Sequence, residues 1–226
     1  MFFQNQFGPP DPAGSAGLPE KAGAARFREV LGDNLAVVLI INFLFLLTCI
    51  PVVTIPSALF ALHHTTRMMA LGKPVRVSHY LDAFHRGWKR GYIAFALTAL
   101  PQAISGVGMW FYLQRAETQV LSLFPFIFCS TVFLLTLLAS MHLYALLDMG
   151  YRTKNALRLA LLLGVGKPVR SVLAVICCYV LPLAGILAFP ISLMYLLLIG
   201  FSLPDLLGNF FLRTVWKQHL EYPSEK

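Results

Sequence analysis

The sequence predicts an all-α fold: a polytopic membrane bundle of about six transmembrane helices in three hairpins. Three observations lead there. Of 226 residues, 58% are hydrophobic and 12% are charged, against roughly 25% charged in soluble domains. The apolar residues gather in runs of about 18 or more, the length that crosses a hydrocarbon core of about 30 Å. The basic residues fall in the short segments between those runs, as the positive-inside rule requires. Short alternating segments, which would mark a β-barrel, do not occur.

Residues 1–25 are rich in Pro, Gly and Ala and predict a flexible N-terminal tail without a signal-peptide pattern. The membrane domain is expected over residues 26–215, and a polar tail over 216–226. The first apolar run extends from about Leu35 to Leu62 without a charge, and Pro51 and Pro56 interrupt it. Each proline lacks an N–H and crowds the preceding turn, so the pair predicts a hairpin turn rather than one long helix. Asn34–Ile50 would then lead outward and Ser57–Leu71 would return.

Residues 77–90 place Val77, Tyr80, Leu81, Phe84 and Trp88 at helical spacing among basic residues, the pattern of an interfacial amphipathic helix. Spans are expected over Ile93–Leu113 and Val120–Leu147, joined by 114–119. The last apolar stretch, residues 171–212, contains one charge, Asp205. Its 42 residues would make about 63 Å of helix, enough for two crossings, with a turn near Ala188-Phe189-Pro190.

Four basic clusters (21–28, 67–90, 152–170 and 213–217) should share the cytoplasmic side, so the number of crossings between any two is even. Only Arg115 of the 18 Lys and Arg residues then falls outside. Lys73, Arg76, Arg86, Lys89, Arg90, Lys167 and Arg170 form the expected cytoplasmic basic face, and both termini lie inside. Positive charge so distributed suits anionic lipid rather than nucleic acid. The segment Gly72-Lys73-Pro74-Val75-Arg76 recurs as Gly166-Lys167-Pro168-Val169-Arg170.

Candidate functional residues are the polar groups inside apolar runs: Asn42, Thr54, Gln102 and Asp205. Asp205 is the one acidic residue deep in such a run, and ionisable groups at that depth are costly. It could bind a cation, relay protons, pair with Arg67 or Arg152, or cap a final helix as Pro204-Asp205. Asn42 and Gln102 are the candidates for a substrate path; hydrogen bonding between helices is the plainer account. His63 and His64 point about 100° apart on a helix, which disfavours one shared metal. Cys49, Cys129, Cys177 and Cys178 have no ligand spacing and read as small core residues. No catalytic motif or cofactor loop is present, so neither an enzyme nor a cofactor is expected.

The opening hairpin, with Asn42, Phe45 and Ile50-Pro51-Val52-Val53-Thr54-Ile55 before Ser57-Ala58 and Ala61-Leu62, resembles the YesL-like family of bacterial integral membrane proteins. Phe84-His85-Arg86-Gly87-Trp88-Lys89-Arg90 and Lys154-Asn155-Ala156-Leu157 extend the resemblance. The chain departs from that family at Phe45, where Trp is usual, and at Pro56-Ser57, where Gly-Pro is usual. The resemblance implies a multi-pass protein of the bacterial inner membrane, near ABC-type sugar uptake. The expected function is therefore a non-catalytic accessory or scaffold component of carbohydrate transport, with ABC-type transporter subunits as partners. The alternative is a small autonomous transporter or channel with a polar path near Asn42, Gln102 and Asp205.

Overall fold

The computed structural model describes residues 23–116 and 120–219, and among them there is no β-strand. Helix α1 spans Gly23–Cys49, α2 Ile55–Ala70, α3 Val77–Arg86, α4 Trp88–Ala116 and α5 Leu123–Asp148. Then come α6 Thr153–Gly166, α7 Pro168–Val175, α8 Leu181–Leu187, α9 Leu193–Leu198 and α10 Ser202–His219. Single 3₁₀ turns precede α2 and α5, and one π-helical turn, Ile176–Val180, joins α7 to α8.

Among the described residues, four helices are long and apolar enough to cross a membrane: α1, α4, α5 and the α7–α8 rod over Pro168–Leu187. The expected six are not all of that kind. At 16 residues, α2 is about 24 Å long by the helical rise, short of the hydrocarbon core. The final run divides into the six-residue α9 and a more polar α10.

The expected tails also shift. Residues 1–22 and 220–226 lie outside the described residues, as does the 117–119 part of the expected connection. Gly23 to Ala25 already belong to α1, and α10 continues past residue 216, with Trp216 buried in the core.

Pro51 and Pro56 act as the sequence suggests at the local level. Helix α1 ends before Pro51, and Pro56 occupies the first turn of α2, where a missing N–H costs nothing. The Thr54 hydroxyl donates to the carbonyls of Thr48 and Pro51, satisfying groups that the end of α1 leaves open. The position of this turn bears on the relative height of the first two hairpins. Tyr92 donates its hydroxyl to the Val53 carbonyl, and Gly91 packs so closely on Pro56 that a Cβ would stand 2.7 Å from the Pro56 carbonyl. The turn thus sits beside the first turns of α4. From Tyr92 to Ala116 is roughly 36 Å of helix, so the first hairpin does not end level with the second.

Helix α2 is the centre of the fold. Twelve of its 16 residues are buried, the signature of a helix surrounded by others, and α1, α3, α4, α5 and α10 all pack on it. Helices α2 and α5 end alike, with Gly72 (φ +76) and Gly150 (φ +89) in the left-handed region. The Lys73 and Tyr151 amides then return to the Met68 and Leu146 carbonyls, closing each helix as a Schellman cap. The π turn has a sequence cause. Pro182 has no N–H for the Cys178 carbonyl, and the Leu181 amide reaches back five residues to Ile176.

Helices α4 and α5 expose a broad apolar surface through Leu100, Ile104, Trp110, Phe124 and Phe128, as expected of lipid-facing helices. Tyr80 on α3 points inward instead, fully buried and 2.8 Å from Thr48 Oγ1. Burial pushes its phenol pKa up from the ordinary value, keeping it neutral. The two copies of the five-residue repeat differ in structure. Gly72–Arg76 is a loop leading into α3, whereas Gly166 ends α6 and Pro168 begins α7.

Candidate functional site

The run His63-His64-Thr65-Thr66-Arg67 on α2 places two acid-binding clamps side by side. On one face, His63 and Thr66, one turn apart, hold Asp205 of α10. His63 Nδ1 lies 3.1 Å from Asp205 Oδ1, and the Thr66 hydroxyl donates to Oδ2. On the adjacent face, His64 and Arg67 hold Asp148 at the end of α5. His64 Nδ1 lies 2.8 Å from both carboxylate oxygens, and Arg67 Nη2 pairs with Oδ2. The 100° step between neighbouring helix residues, which disfavours a shared metal, sends the two histidines to different carboxylates.

The Asp205 clamp is the deeper one. Asn209, one turn along α10, donates Nδ2 to Asp205 Oδ2 at 3.2 Å and to Thr66 Oγ1 at 2.8 Å. Cys178 Sγ, on the π turn, lies 3.7 Å from Asp205 Oδ1. Asp205 stands in the first turn of α10, where the helix dipole favours a negative charge. Asp148 stands in the last turn of α5, where the dipole opposes it, and Arg67 with His64 supplies the compensation.

A cavity of about 120 Å³ adjoins the Asp205 clamp, lined by Leu62, His63, Tyr144, Cys178, Tyr179 and Asp205 among others. Tyr179 donates its hydroxyl to Ser140 Oγ at 3.0 Å. Gln102 approaches the Tyr179 hydroxyl from α4. Oδ1 of the fully buried Asn209 has no hydrogen-bond partner among the described residues. Five elements (α2, α4, α5, the π turn and α10) therefore send polar side chains toward one small space.

Of the candidates read from the sequence, Asp205 and Gln102 reach this cavity region and Asn42 and Thr54 do not. The Asp205 partners are His63, Thr66 and Asn209, in place of Arg67 or Arg152. Asn42 bridges the break between α9 and α10. Its Nδ2 donates to the Leu196 and Leu197 carbonyls at 2.9 and 2.8 Å, and its Oδ1 accepts from the Phe201 and Ser202 amides at 2.9 and 3.1 Å. Every hydrogen-bonding site of that amide is used, and each partner is a backbone group that a broken helix leaves open. Thr54, with Pro51 and Pro56, builds the turn.

Among the expected basic face, Arg86 and Arg90 line an open cleft of about 400 Å³, together with His64, His79, Asp82 and Asp148. Arg170 lines a separate groove of about 530 Å³ with Phe27, Leu173, Phe210 and Arg213. Arg76 precedes α3, where its amide donates to His79 Nδ1 at 3.2 Å. Lys73 follows the cap of α2, Lys89 is exposed on α4, and Lys167 separates α6 from α7. His142 bonds Ser171 across the α5–α7 contact at 3.1 Å.

Residues 38–112 match the family described as a protein of unknown function, DUF624. The match extends from the middle of α1 into α4 and includes the whole His63–Arg67 run, whereas both carboxylates lie beyond it. No curated protein and no solved structure matches the chain.

Proposed function

We propose that this chain is a non-catalytic component of membrane transport that passes a small polar solute or cation through the cavity at Asp205. The convergence of His63, Thr66, Asn209 and Cys178 on that carboxylate, beside a cavity that Tyr179 also lines and inside an apolar bundle, carries the reading. Polar groups at such depth are expensive and mark ligand pathways. Discontinuous helices with a π turn at the cavity wall are a common way to build one. The protein resides in the bacterial inner membrane in this reading, and both termini face the cytoplasm. Support comes from the grouping of basic segments: Arg26 lies within 3.1 Å of where a Gly72 Cβ would be, and Arg170 and Arg213 share a groove with Gly23.

The test uses Cys178 as a reporter. A variant retaining Cys178 alone (Cys49→Ala, Cys129→Ala, Cys177→Ala) is placed in sealed vesicles and exposed to a cationic, membrane-impermeant methanethiosulfonate. Labelling from one side is the expected result. A thiol inert from both sides, yet reactive after denaturation, would make the cavity closed and the cluster structural.

Arg86 and Arg90 favour a second reading. Neither forms an ion pair among the described residues, and both face the open cleft. An accessory subunit docking on an ABC-type transporter would present such a face, and the link to carbohydrate uptake comes from the family resemblance. Affinity purification from native membranes tests it: permease or ATPase subunits should be recovered at stoichiometric levels, and Arg86→Glu with Arg90→Glu should lose them.

A further inference from the structure

Both ring nitrogens of His63 have an acceptor within reach. Nδ1 lies 3.1 Å from Asp205 Oδ1, and Nε2 lies 3.2 Å from the Met141 carbonyl oxygen. Asn209 Nδ2 also stands 3.4 Å from Nδ1, but its two hydrogens go to Thr66 and Asp205 at shorter range. A neutral imidazole has one N–H and one lone pair. With Asp205 ionised, either neutral tautomer sets a nitrogen lone pair against an oxygen lone pair at one of the two acceptor contacts. A proton on each nitrogen turns both contacts into donations and places an imidazolium beside the carboxylate. The second oxygen of Asp205 takes donated hydrogen bonds from Thr66 and Asn209, which suits the ionised carboxylate.

The surroundings supply no competing charge. From α5, Tyr144 faces His63 with its ring 5.6 Å away, and His142 stands on the same helix, bonded to Ser171. From the π turn come Cys178 and Tyr179. Asp205, Asn209 and Trp216 approach from α10, the indole 6.5 Å from the imidazole. On α2 itself, His64 and Arg67 turn away to Asp148. Among the described residues no Lys or Arg lines the cavity, which leaves His63 there as the group that can meet Asp205 as a cation. Among the described residues, no group of three His, Cys, Asp or Glu has the geometry to hold a metal ion. The adjoining 120 Å³ has room for about four waters at roughly 30 Å³ each.

We propose that the His63–Asp205 pair is a proton-binding site and that the ion handled by the cavity is the proton. This rests on the transport reading of the same cavity. In the loaded state the pair is imidazolium and carboxylate. On release, one N–H bond of His63 breaks, its electron pair stays on the nitrogen, and the proton passes to water in the cavity. Neutral imidazole and a carboxylate remain, so the site gains one negative charge and is ready for the next proton.

Infrared spectroscopy of the full chain in lipid nanodiscs tests the proposal without knowledge of any solute. In the wild type, difference spectra between the loaded and released states should show imidazole ring bands that shift on ¹⁵N-histidine labelling and are lost in His63→Gln. No aspartic acid C=O band should appear in either state. In His63→Gln the buried carboxylate loses its cation and takes up the proton itself, so a carboxylic acid band should appear and vanish in His63→Gln with Asp205→Asn. Absence of that band from an assembled His63→Gln protein would overturn the proposal. If the variants do not assemble, the wild type alone decides. A carboxylic acid band at neutral pH that shifts on ¹³C-aspartate labelling would place the proton on a carboxyl group and refute the ionised pair. Failure of the Cys178 labelling would refute the open cavity and leave this spectrum unchanged, so the two ideas fail separately.

Discussion

Asn42→Leu isolates what holds the α9–α10 break together. Leucine, though bulkier, keeps the branched outline of asparagine and cannot hydrogen-bond, so the substitution removes four hydrogen bonds. The Leu196 and Leu197 carbonyls and the Phe201 and Ser202 amides lose their side-chain partner. Hydrogen bonds between membrane helices average about 0.6 kcal/mol, and typical ones in proteins contribute about 1. Four come to about 2–4 kcal/mol. Asn42 is fully buried, so solvent cannot replace them in the folded state, and the upper half of that range is expected. Unfolding by SDS titration in mixed micelles, followed by circular dichroism, gives the free-energy difference. A loss below about 0.5 kcal/mol, the ordinary scatter for neutral substitutions, would show that the broken helix satisfies its own ends and would refute the bridging role.

Three other expectations address the clamps and the turn. Asp148→Asn should destabilise by about 3 kcal/mol, the lower end for breaking a buried pair, because Arg67 and Asp148 side chains are each 10% exposed. Arg67→Met in the same chain should recover part of the loss, and no recovery would argue against their coupling. A Cβ on Gly208 would overlap Cys178 Sγ, so Gly208→Ala should cost about 1–3 kcal/mol. The cost should shrink in a Cys178→Ala background, and equal costs in both backgrounds would remove that contact as the cause. Replacing Pro51 and Pro56 together by Ala should let α1 run on toward α2 and pull Val53 from Tyr92. A distance between spin labels at Val53→Cys and Ile93→Cys that is the same with the prolines replaced as with them present would sink that idea.

Local breaks were legible because proline states them chemically. Pro51 and Pro56 end one helix and start the next, and the turn near Ala188-Phe189-Pro190 falls between α8 and α9. Depth was not legible. Counting charges groups the basic segments, but it cannot show that the first turn packs against Tyr92. That depends on small Gly91 admitting Pro56. Asp205 stood out by composition, whereas its partners did not, since His63 and Asn209 are 146 residues apart. The available signal was spacing: His63 with Thr66 and His64 with Arg67 are both i,i+3 pairs, so each pair shares one helix face. Reading the two histidines only as metal ligands passed over that pattern. For Asn42 hydrogen bonding between helices is already the plainer account, but that its partners are the open backbone groups of the α9–α10 break was not legible.

The two clamps of α2 use the same design and differ in what surrounds them, which separates their roles. Buried ion pairs are weak sources of stability, since apolar residues of like volume often do as well or better. Keeping two of them on one 16-residue helix calls for a reason beyond holding the fold. For Asp148 a structural reason suffices. It lies in the last turn of α5, at the edge of an open cleft, and binds that end to α2 through a full cation. Asp205 has no such cation. Its partners are an imidazole, a hydroxyl, an amide and a thiol, and each is neutral in at least one accessible state. The nearby amide oxygen of Asn209 lacks a protein partner, and a cavity adjoins the cluster. An arginine would have locked the carboxylate permanently, whereas a histidine can lose its charge while keeping its place. That difference in chemistry, more than burial, makes Asp205 the site to test first.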